Sequence, residues 1–132
     1  MMSSDSDAGR GRDNVTATEA DVERKLLATW PVPADQAVAR ALLLTYGTAS
    51  GEQEQERVRL ALIKLSGGDL NELATLAVAA TRDYRDVLMW AEFPEEARAP
   101  FAHRLDLTAP ERSQLKAIRA RDRSQYEAWR KQ

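Results

Sequence analysis

A double glycine followed by a regular apolar stripe constrains the fold of this chain most strongly. Residues 66–68, Ser-Gly-Gly, interrupt an apolar run, and Asp69 can then accept hydrogen bonds from the free N–H groups of a new helix. Beyond it, apolar residues recur at steps of three and four positions, which places them on one helical face. The members of the stripe are Leu70, Leu73, Leu76, Ala77, Ala80, Tyr84, Val87, Leu88 and Ala91. They predict one long central helix over about 70–92, which Pro94 ends.

The same stripe is also compatible with a break of the predicted helix near Asp83. Aspartate is a common helix cap, so a second helix could start directly after it. Successive residues of a helix are rotated by roughly 100°, and a stripe that drifted around the helix axis at this rotation would indicate two separate helices. Because the stripe keeps its phase, we expect one helix and treat a break near Arg82 and Asp83 as the alternative.

Caps, prolines and glycines divide the rest of the chain into further helices. The predicted elements are a helix from the Thr18 cap to Trp30, a helix over 34–46, a helix over 52–65 with Ser50 as its cap, a loop over 94–107 and a last helix after the Thr108 cap. Residues 1–17 are polar and rich in Gly and Ser, so we expect a disordered tail. Strand-type alternation is absent from the sequence. We therefore predict an all-α fold, with a single-domain bundle of four or five helices over residues 18–132.

Length and composition limit the class of protein. The 132 residues suit one domain. Cysteine is absent, which excludes disulfides, thiolate metal sites and cysteine nucleophiles, and fits a reducing compartment. No apolar run approaches the ~20 residues of a membrane helix, and the N-terminus lacks a signal-peptide pattern. We expect a cytoplasmic protein that has no membrane partner.

The stretch that carries the stripe also resembles a known family. Its pattern is a GDLxxL segment, Gly68 to Leu73, followed by DYRDVL over 83–88 and AEFPEE over 91–96. This pattern is similar to that of a small bacterial all-helical family of uncharacterised function, and the resemblance covers about residues 52–130. The resemblance supports the domain but implies no activity, ligand or site residue.

Three apolar side chains lie away from the main stripe and indicate a contact surface. Met89, Trp90 and Phe93 sit beside acidic residues, and such side chains are enriched at interface cores. The predicted interaction patch comprises Asp83, Arg85, Asp86, Met89, Trp90, Glu92 and Phe93. The alternative is that the last helix or the 94–107 loop covers this patch within the same chain. We predict a non-catalytic protein-interaction or self-association module, with another protein or a second copy as its partner and no cofactor.

Nucleic-acid binding by the last helix is the second hypothesis. Its basic residues cover one flank, and Tyr126 and Trp129 could stack on bases. These basic residues are Arg112, Lys116, Arg119, Arg123 and Arg130. The net charge of −2 and the pI near 5.5 oppose this reading, because nucleic-acid binding normally needs a strong positive footprint.

A metal-dependent enzyme is the third hypothesis. Acidic residues are concentrated over 83–96, and His103 follows closely. The Glu-x-x-His and His-Glu-x-x-His patterns typical of helical metal sites are missing. We therefore assign neither a catalytic residue nor a metal ligand.

Overall fold

The computed structural model describes residues 17–49, 51–102 and 104–132. The helices of this described part are α1 (Glu19–Thr29), α2 (Pro33–Leu43), α3 (Gln55–Ser66), α4 (Leu70–Arg82), α5 (Tyr84–Glu92), α6 (Pro94–Arg98) and α7 (Ala109–Lys131). No strand occurs among these residues, so the predicted all-α class is confirmed. Of the predicted tail over 1–17, all but Ala17 lies outside the described residues.

The centre of the bundle is α3, which packs against α1, α4 and α5. Val58 and each residue over 60–63 are at most 2% exposed. Consecutive buried residues point to more than one side of a helix, so α3 must be covered on several sides. In α4, by contrast, Val78 remains 53% exposed next to buried Ala77. The helix at the centre is therefore α3, and not the 70–92 segment that the stripe indicated.

The predicted long central helix is interrupted at Asp83. The backbone of Asp83 is extended; its N–H still donates to Ala79 O, while its side chain accepts from the N–H of Arg85. One residue therefore ends α4 and caps α5, which is the alternative that the sequence left open. Apolar residues keep their spacing across the break because both helices bury one face against the same core.

The turn between α3 and α4 forms as predicted. Gly67 and Gly68 have φ angles of 60° and 87°, in the left-handed region that glycine adopts without steric cost. Asp69 then caps α4 by accepting from the N–H groups of Asn71 and Glu72. The indole Nε1 of Trp30 donates to Gly68 O at 3.0 Å, so the end of α1 is tied to this turn.

The start of α3 differs from the prediction over 52–65. Ser50, the predicted cap, lies outside the described residues, and α3 begins at Gln55. Glu52 does not enter the helix, because its Oε1 accepts from Gly47 N at 2.6 Å and from Ala49 N at 3.1 Å. A side chain that closes a loop in this way competes with helix formation by the same residue.

The predicted loop over 94–107 contains one short helix, α6. Its N-terminal N–H groups at Glu95 and Glu96 donate to the carboxylate of Asp122 on α7, at 3.2 and 2.9 Å. Asp122 is only 1% exposed. The polar residue that interrupts the apolar side of α7 is thus a cap supplied from a distant part of the chain. α7 docks through its middle as well as through its ends.

The C-terminal end of α7 is held by α1. Lys25 Nζ donates to Trp129 O at 2.8 Å and lies 4.3 Å from the centre of the Trp129 ring. Arg24 donates to Arg130 O at 3.1 Å. Cations at a helix C-terminus interact favourably with its exposed carbonyl groups. These contacts and the Asp122 cap fix α7 against the side of α5 and α6.

Candidate functional site

The outer face of α5 presents most of the predicted interaction patch. Trp90 is 44% exposed, whereas Met89 and Phe93 are partly buried. Arg85 and Asp86 are exposed one turn before Met89 and Trp90 on this helix. The structure therefore brings the three apolar side chains to one region of the surface, and Trp90 is not covered by the last helix.

Asp83 and Arg85 form an ion pair at the start of α5. Arg85 Nε donates to Asp83 Oδ1 at 3.0 Å, and Arg85 Nη2 donates to Asp83 Oδ2 at 3.2 Å. The guanidinium of Arg85 lowers the pKa of Asp83 below its ordinary value, mainly through the side-chain hydrogen bonds. This exposed pair fixes the Arg85 side chain beside the break between α4 and α5.

Glu92 is the one predicted patch residue that the structure places inside the protein. It is 1% exposed and binds Arg57 of α3, whose Nε and Nη2 donate to its two carboxylate oxygens at 2.8 and 2.7 Å. Glu92 faces inward because it lies one turn after buried Leu88 on α5. Its charge is neutralised by a partly buried arginine and does not contribute to the exposed patch.

Two surface hollows lie along α5 and share Met89 and Phe93. The first has a volume of about 290 Å³ and the second of about 360 Å³. The first is lined by Glu54, Arg57, Tyr84, Arg85, Leu88, Met89, Glu92 and Phe93. The second is lined by Met89, Phe93, Glu96, Arg119 and Arg123. The two hollows adjoin at Met89 and Phe93, and together they are hereafter called the α5 groove.

Arginines of α7 form one wall of the α5 groove. Arg119 donates to the two carboxylate oxygens of Glu96 at 3.0 and 2.7 Å, and Glu96 itself is only 8% exposed. The guanidinium carbon of Arg123 lies 5.6 Å from the centre of the Phe93 ring, within the range of a cation–π contact. Arginine side chains of α7 therefore lie beside Phe93, although the sequence near Phe93 is acidic.

The arginines predicted for nucleic-acid binding are largely engaged within the chain. Besides the contacts of Arg119 and Arg123, Arg112 donates to Leu107 O at 2.6 Å, and Arg130 binds Glu127 at 2.6 Å and Asp21 at 3.3 Å. Lys116 is exposed. Tyr126 is 1% exposed and cannot stack on a base. No geometric feature of α7 therefore favours nucleic acid over a protein partner.

Four of the five acidic residues over 83–96 pair with separate arginines. Asp83 binds Arg85, Glu92 binds Arg57, Glu95 binds Arg98 and Glu96 binds Arg119. Within residues 17–49, 51–102 and 104–132, no group of three or more His, Cys, Asp or Glu side chains is placed to hold a metal ion. His103 lies outside these residues.

A buried tyrosine on α7 lies near the Arg57–Glu92 pair. Among the described residues, the Tyr126 hydroxyl is a buried side-chain group without a hydrogen-bond partner. Burial raises the pKa of this hydroxyl well above its ordinary value, and the charge of Glu92 adds to the effect. An unpaired buried hydroxyl costs free energy that a hydrocarbon of similar shape avoids.

Replacing this tyrosine with phenylalanine is expected to stabilise the protein. Tyr126→Phe removes the unpaired hydroxyl and keeps the ring, so the free energy of unfolding should rise by about 1 kcal/mol in urea denaturation. Above pH ~10 the unfolded chain loses the Tyr126 proton before the folded chain does, so wild-type stability falls as the pH rises. The advantage of the variant should therefore grow above pH ~10. A variant less stable than wild type would show that the hydroxyl has a partner.

Two of the three buried acids, Glu92 and Asp122, carry a signal in the sequence, whereas the arginines that bind the buried glutamates do not. Glu92 lies in phase with Leu88, and Asp122 lies in phase with Tyr126 on the apolar side of α7. Acids at such positions indicate buried polar pairs. Arg57 and Arg119, which bind the buried acids Glu92 and Glu96, carry no such signal, because their pairing depends on how the helices pack.

Comparisons of this chain with known families, proteins and structures add nothing to the resemblance or to the proposed function. No family model matches the chain, no curated protein matches it, and no solved structure matches it. The similarity of residues 68–96 to a bacterial helical family stays a prediction. In the described part of the chain, none of the helices has the length and apolar character needed to span a membrane.

Proposed function

We propose that this chain is a non-catalytic protein-interaction module whose binding surface is the outer face of α5. The observation that carries the proposal is Trp90, which is 44% exposed and lies on α5 between Met89 and Phe93, two residues that line the α5 groove. Single exposed apolar residues are ordinary on protein surfaces. Here an exposed tryptophan follows Met89 on the same helix, and Met89 and Phe93 line both hollows of the groove; aromatic and methionine side chains together are typical of an interface core.

A protein partner suits this surface better than nucleic acid does. The full chain has a net charge of −2, and Arg112, Arg119 and Arg130 already bind groups of the same chain. Binding to a phosphate backbone requires cations that release counterions over an extended surface. The absence of cysteine supports a reducing, cytoplasmic setting for this module.

Site-directed crosslinking tests the proposal, because a chain without cysteine accepts a single reactive thiol at a chosen position. Trp90→Cys carries a thiol-linked benzophenone on the α5 face. Val78→Cys is the matched control, since Val78 is 53% exposed on the neighbouring helix and lines neither hollow. After irradiation in an extract of the native host, we expect a crosslinked product of defined mass from position 90 and none from position 78.

The intensity of that product must also depend on the groove. Adding excess unlabelled wild-type chain should abolish it, whereas adding unlabelled Phe93→Ala chain should compete poorly because the apolar middle of the groove is reduced. Equal labelling from positions 78 and 90, or no product from position 90, would contradict the proposed function.

A further inference from the structure

We propose that α7 is a strap that detaches from the bundle as one unit while α1 to α5 remain folded, and that α6 opens together with it. This inference concerns the fold itself and goes beyond the proposed function. Three features of α7 support it: the small share of its residues that is buried, the charged groups that it covers, and the cap that it supplies to α6.

The first feature is the small buried share of α7. Of its 23 residues, three are buried, namely Leu115, Asp122 and Tyr126. In α3, by comparison, six of 12 residues are buried. Tyr126 belongs to the main hydrophobic core, Trp129 packs against that core while partly buried, and Leu115 lies outside it. An element that buries so few apolar side chains is expected to open at a free energy below that of global unfolding.

The second feature is the charged surface that α7 covers. Lys25 of α1 lies 4.3 Å from the centre of the Trp129 ring, and Lys64 of α3 lies 5.9 Å from that of Tyr126. Lys25 is only 5% exposed. Burial lowers the pKa of both ammonium groups, because a charge that loses its hydration is destabilised. Release of α7 therefore increases the hydration of two charged groups, which offsets part of the contacts that are lost.

The Tyr126 hydroxyl favours release for a related reason. Among the described residues, it is buried without a hydrogen-bond partner. Once α7 is released, water can bond to this hydroxyl, so release recovers a hydrogen bond that the closed form lacks. The nearby pair of Arg57 and Glu92 keeps its own hydrogen bonds, at 2.8 and 2.7 Å, because its members belong to α3 and α5.

The third feature is the cap on α6. The N–H groups of Glu95 and Glu96 donate to Asp122 of α7, and α6 has only five residues. A helix of this length is not stable without its tertiary contacts, so α6 should open when Asp122 leaves. The connection between α6 and α7 does not oppose this movement, since Leu105 within it is fully exposed. Release also removes the α7 side of the α5 groove.

Native-state hydrogen exchange of the full chain, followed residue by residue by NMR over a series of urea concentrations, tests this inference. The N–H groups of α7, and those of Glu95 and Glu96, should exchange at least about tenfold faster than those of α3. Their exchange should also respond more weakly to urea, because release exposes less surface than global unfolding does. Exchange of α7 and α3 at one rate and with one urea dependence would overturn the strap.

Two variants separate release of α7 from global unfolding. Asp69→Ala removes the cap of α4, which is folded in both the closed and the released form. Exchange in α3 should therefore rise about fivefold, as expected for a lost helix cap, while exchange in α7 stays unchanged. Trp129→Ala weakens the closed form alone, so exchange should rise in α7 and in α3 together.

The contrast between the two variants decides the outcome. Equal acceleration of α7 and α3 by Asp69→Ala would show that α7 opens only when the whole chain unfolds, and would overturn the inference. Unchanged exchange of α7 in Trp129→Ala would overturn it as well. Circular dichroism confirms that each variant remains folded. These experiments require no partner, so their result is independent of the crosslink expected from position 90.

Discussion

Replacing Arg57 with alanine is expected to lower the free energy of unfolding by about 4 kcal/mol, because it leaves the buried carboxylate of Glu92 without a counter-charge. Glu92 is 1% exposed and receives two hydrogen bonds from Arg57, at 2.8 and 2.7 Å. These bonds join α3 to the C-terminal end of α5, so their loss also loosens the helix that carries Trp90. Chemical denaturation followed by circular dichroism measures the change.

Two further variants show whether the cost comes from the buried charge. Arg98→Ala breaks the exposed pair with Glu95 and should cost less than about 1 kcal/mol. The double variant Arg57→Met with Glu92→Leu removes both charges and should recover most of the stability, since apolar replacement of a complete buried pair is often neutral or stabilising. An Arg57→Ala variant as stable as wild type would show that Glu92 reaches solvent or another cation.

Replacing Asp122 with alanine is the second large effect, with an expected loss of about 3 kcal/mol. The substitution removes two hydrogen bonds from a charged acceptor, each worth about 1.5–3 kcal/mol, and leaves the N–H groups of Glu95 and Glu96 unpaired. Because Asp122 connects α6 with α7, its loss should also displace Arg119 from the wall of the α5 groove. The expected results are a lower urea concentration at the midpoint of unfolding and a weaker crosslink from position 90.

A graded series distinguishes this capping role from a general effect of charge. Asp122→Asn keeps one acceptor oxygen and should lose roughly half as much stability as Asp122→Ala. Asp106→Ala is the control, because the Asp106 side chain is 89% exposed and its removal should change stability by less than about 0.5 kcal/mol. Equal losses from Asp122→Ala and Asp106→Ala would contradict the cap.

Local signals predicted the helices well where short-range contacts set their ends. Thr18 with Asp21 and Thr108 with Glu111 form the predicted capping boxes, and Asp69 caps α4. Such caps involve residues three positions apart, so the sequence alone carries the information. The break at Asp83 has a local signal too, but periodicity could not separate one straight helix from two helices that bury the same side.

Long-range pairing accounts for most of what the sequence could not predict. Asp122 reaches N–H groups 26 and 27 positions away, and Arg57 reaches Glu92 across 35 positions. These contacts form the short helix α6 and turn Glu92 inward. A polar residue within an apolar stripe marks a buried partner, yet its identity depends on the packing of whole helices.

Long-range pairing also explains why the charges at the candidate site differ from those expected from the sequence. The sequence around Met89, Trp90 and Phe93 is acidic, which would favour a basic partner. The structure buries Glu92 and Glu96 and places Arg119 and Arg123 beside Phe93. The surface that remains places Met89 and Phe93 beside arginines of α7, with Asp86 and Trp90 exposed on the outer face of α5.

Fluorine NMR of the chain labelled with 5-fluorotryptophan tests the central claim most directly, since the protein has three tryptophans in different environments. In dilute solution, the Trp90 resonance should show a large shift between H₂O and D₂O, and that of Trp30, which is 3% exposed, should show almost none. The Trp90 shift should shrink when an extract of the native host is added, because a bound partner covers the ring. A Trp90 resonance that is insensitive to solvent in dilute solution, or equally sensitive with and without the extract, would contradict this account.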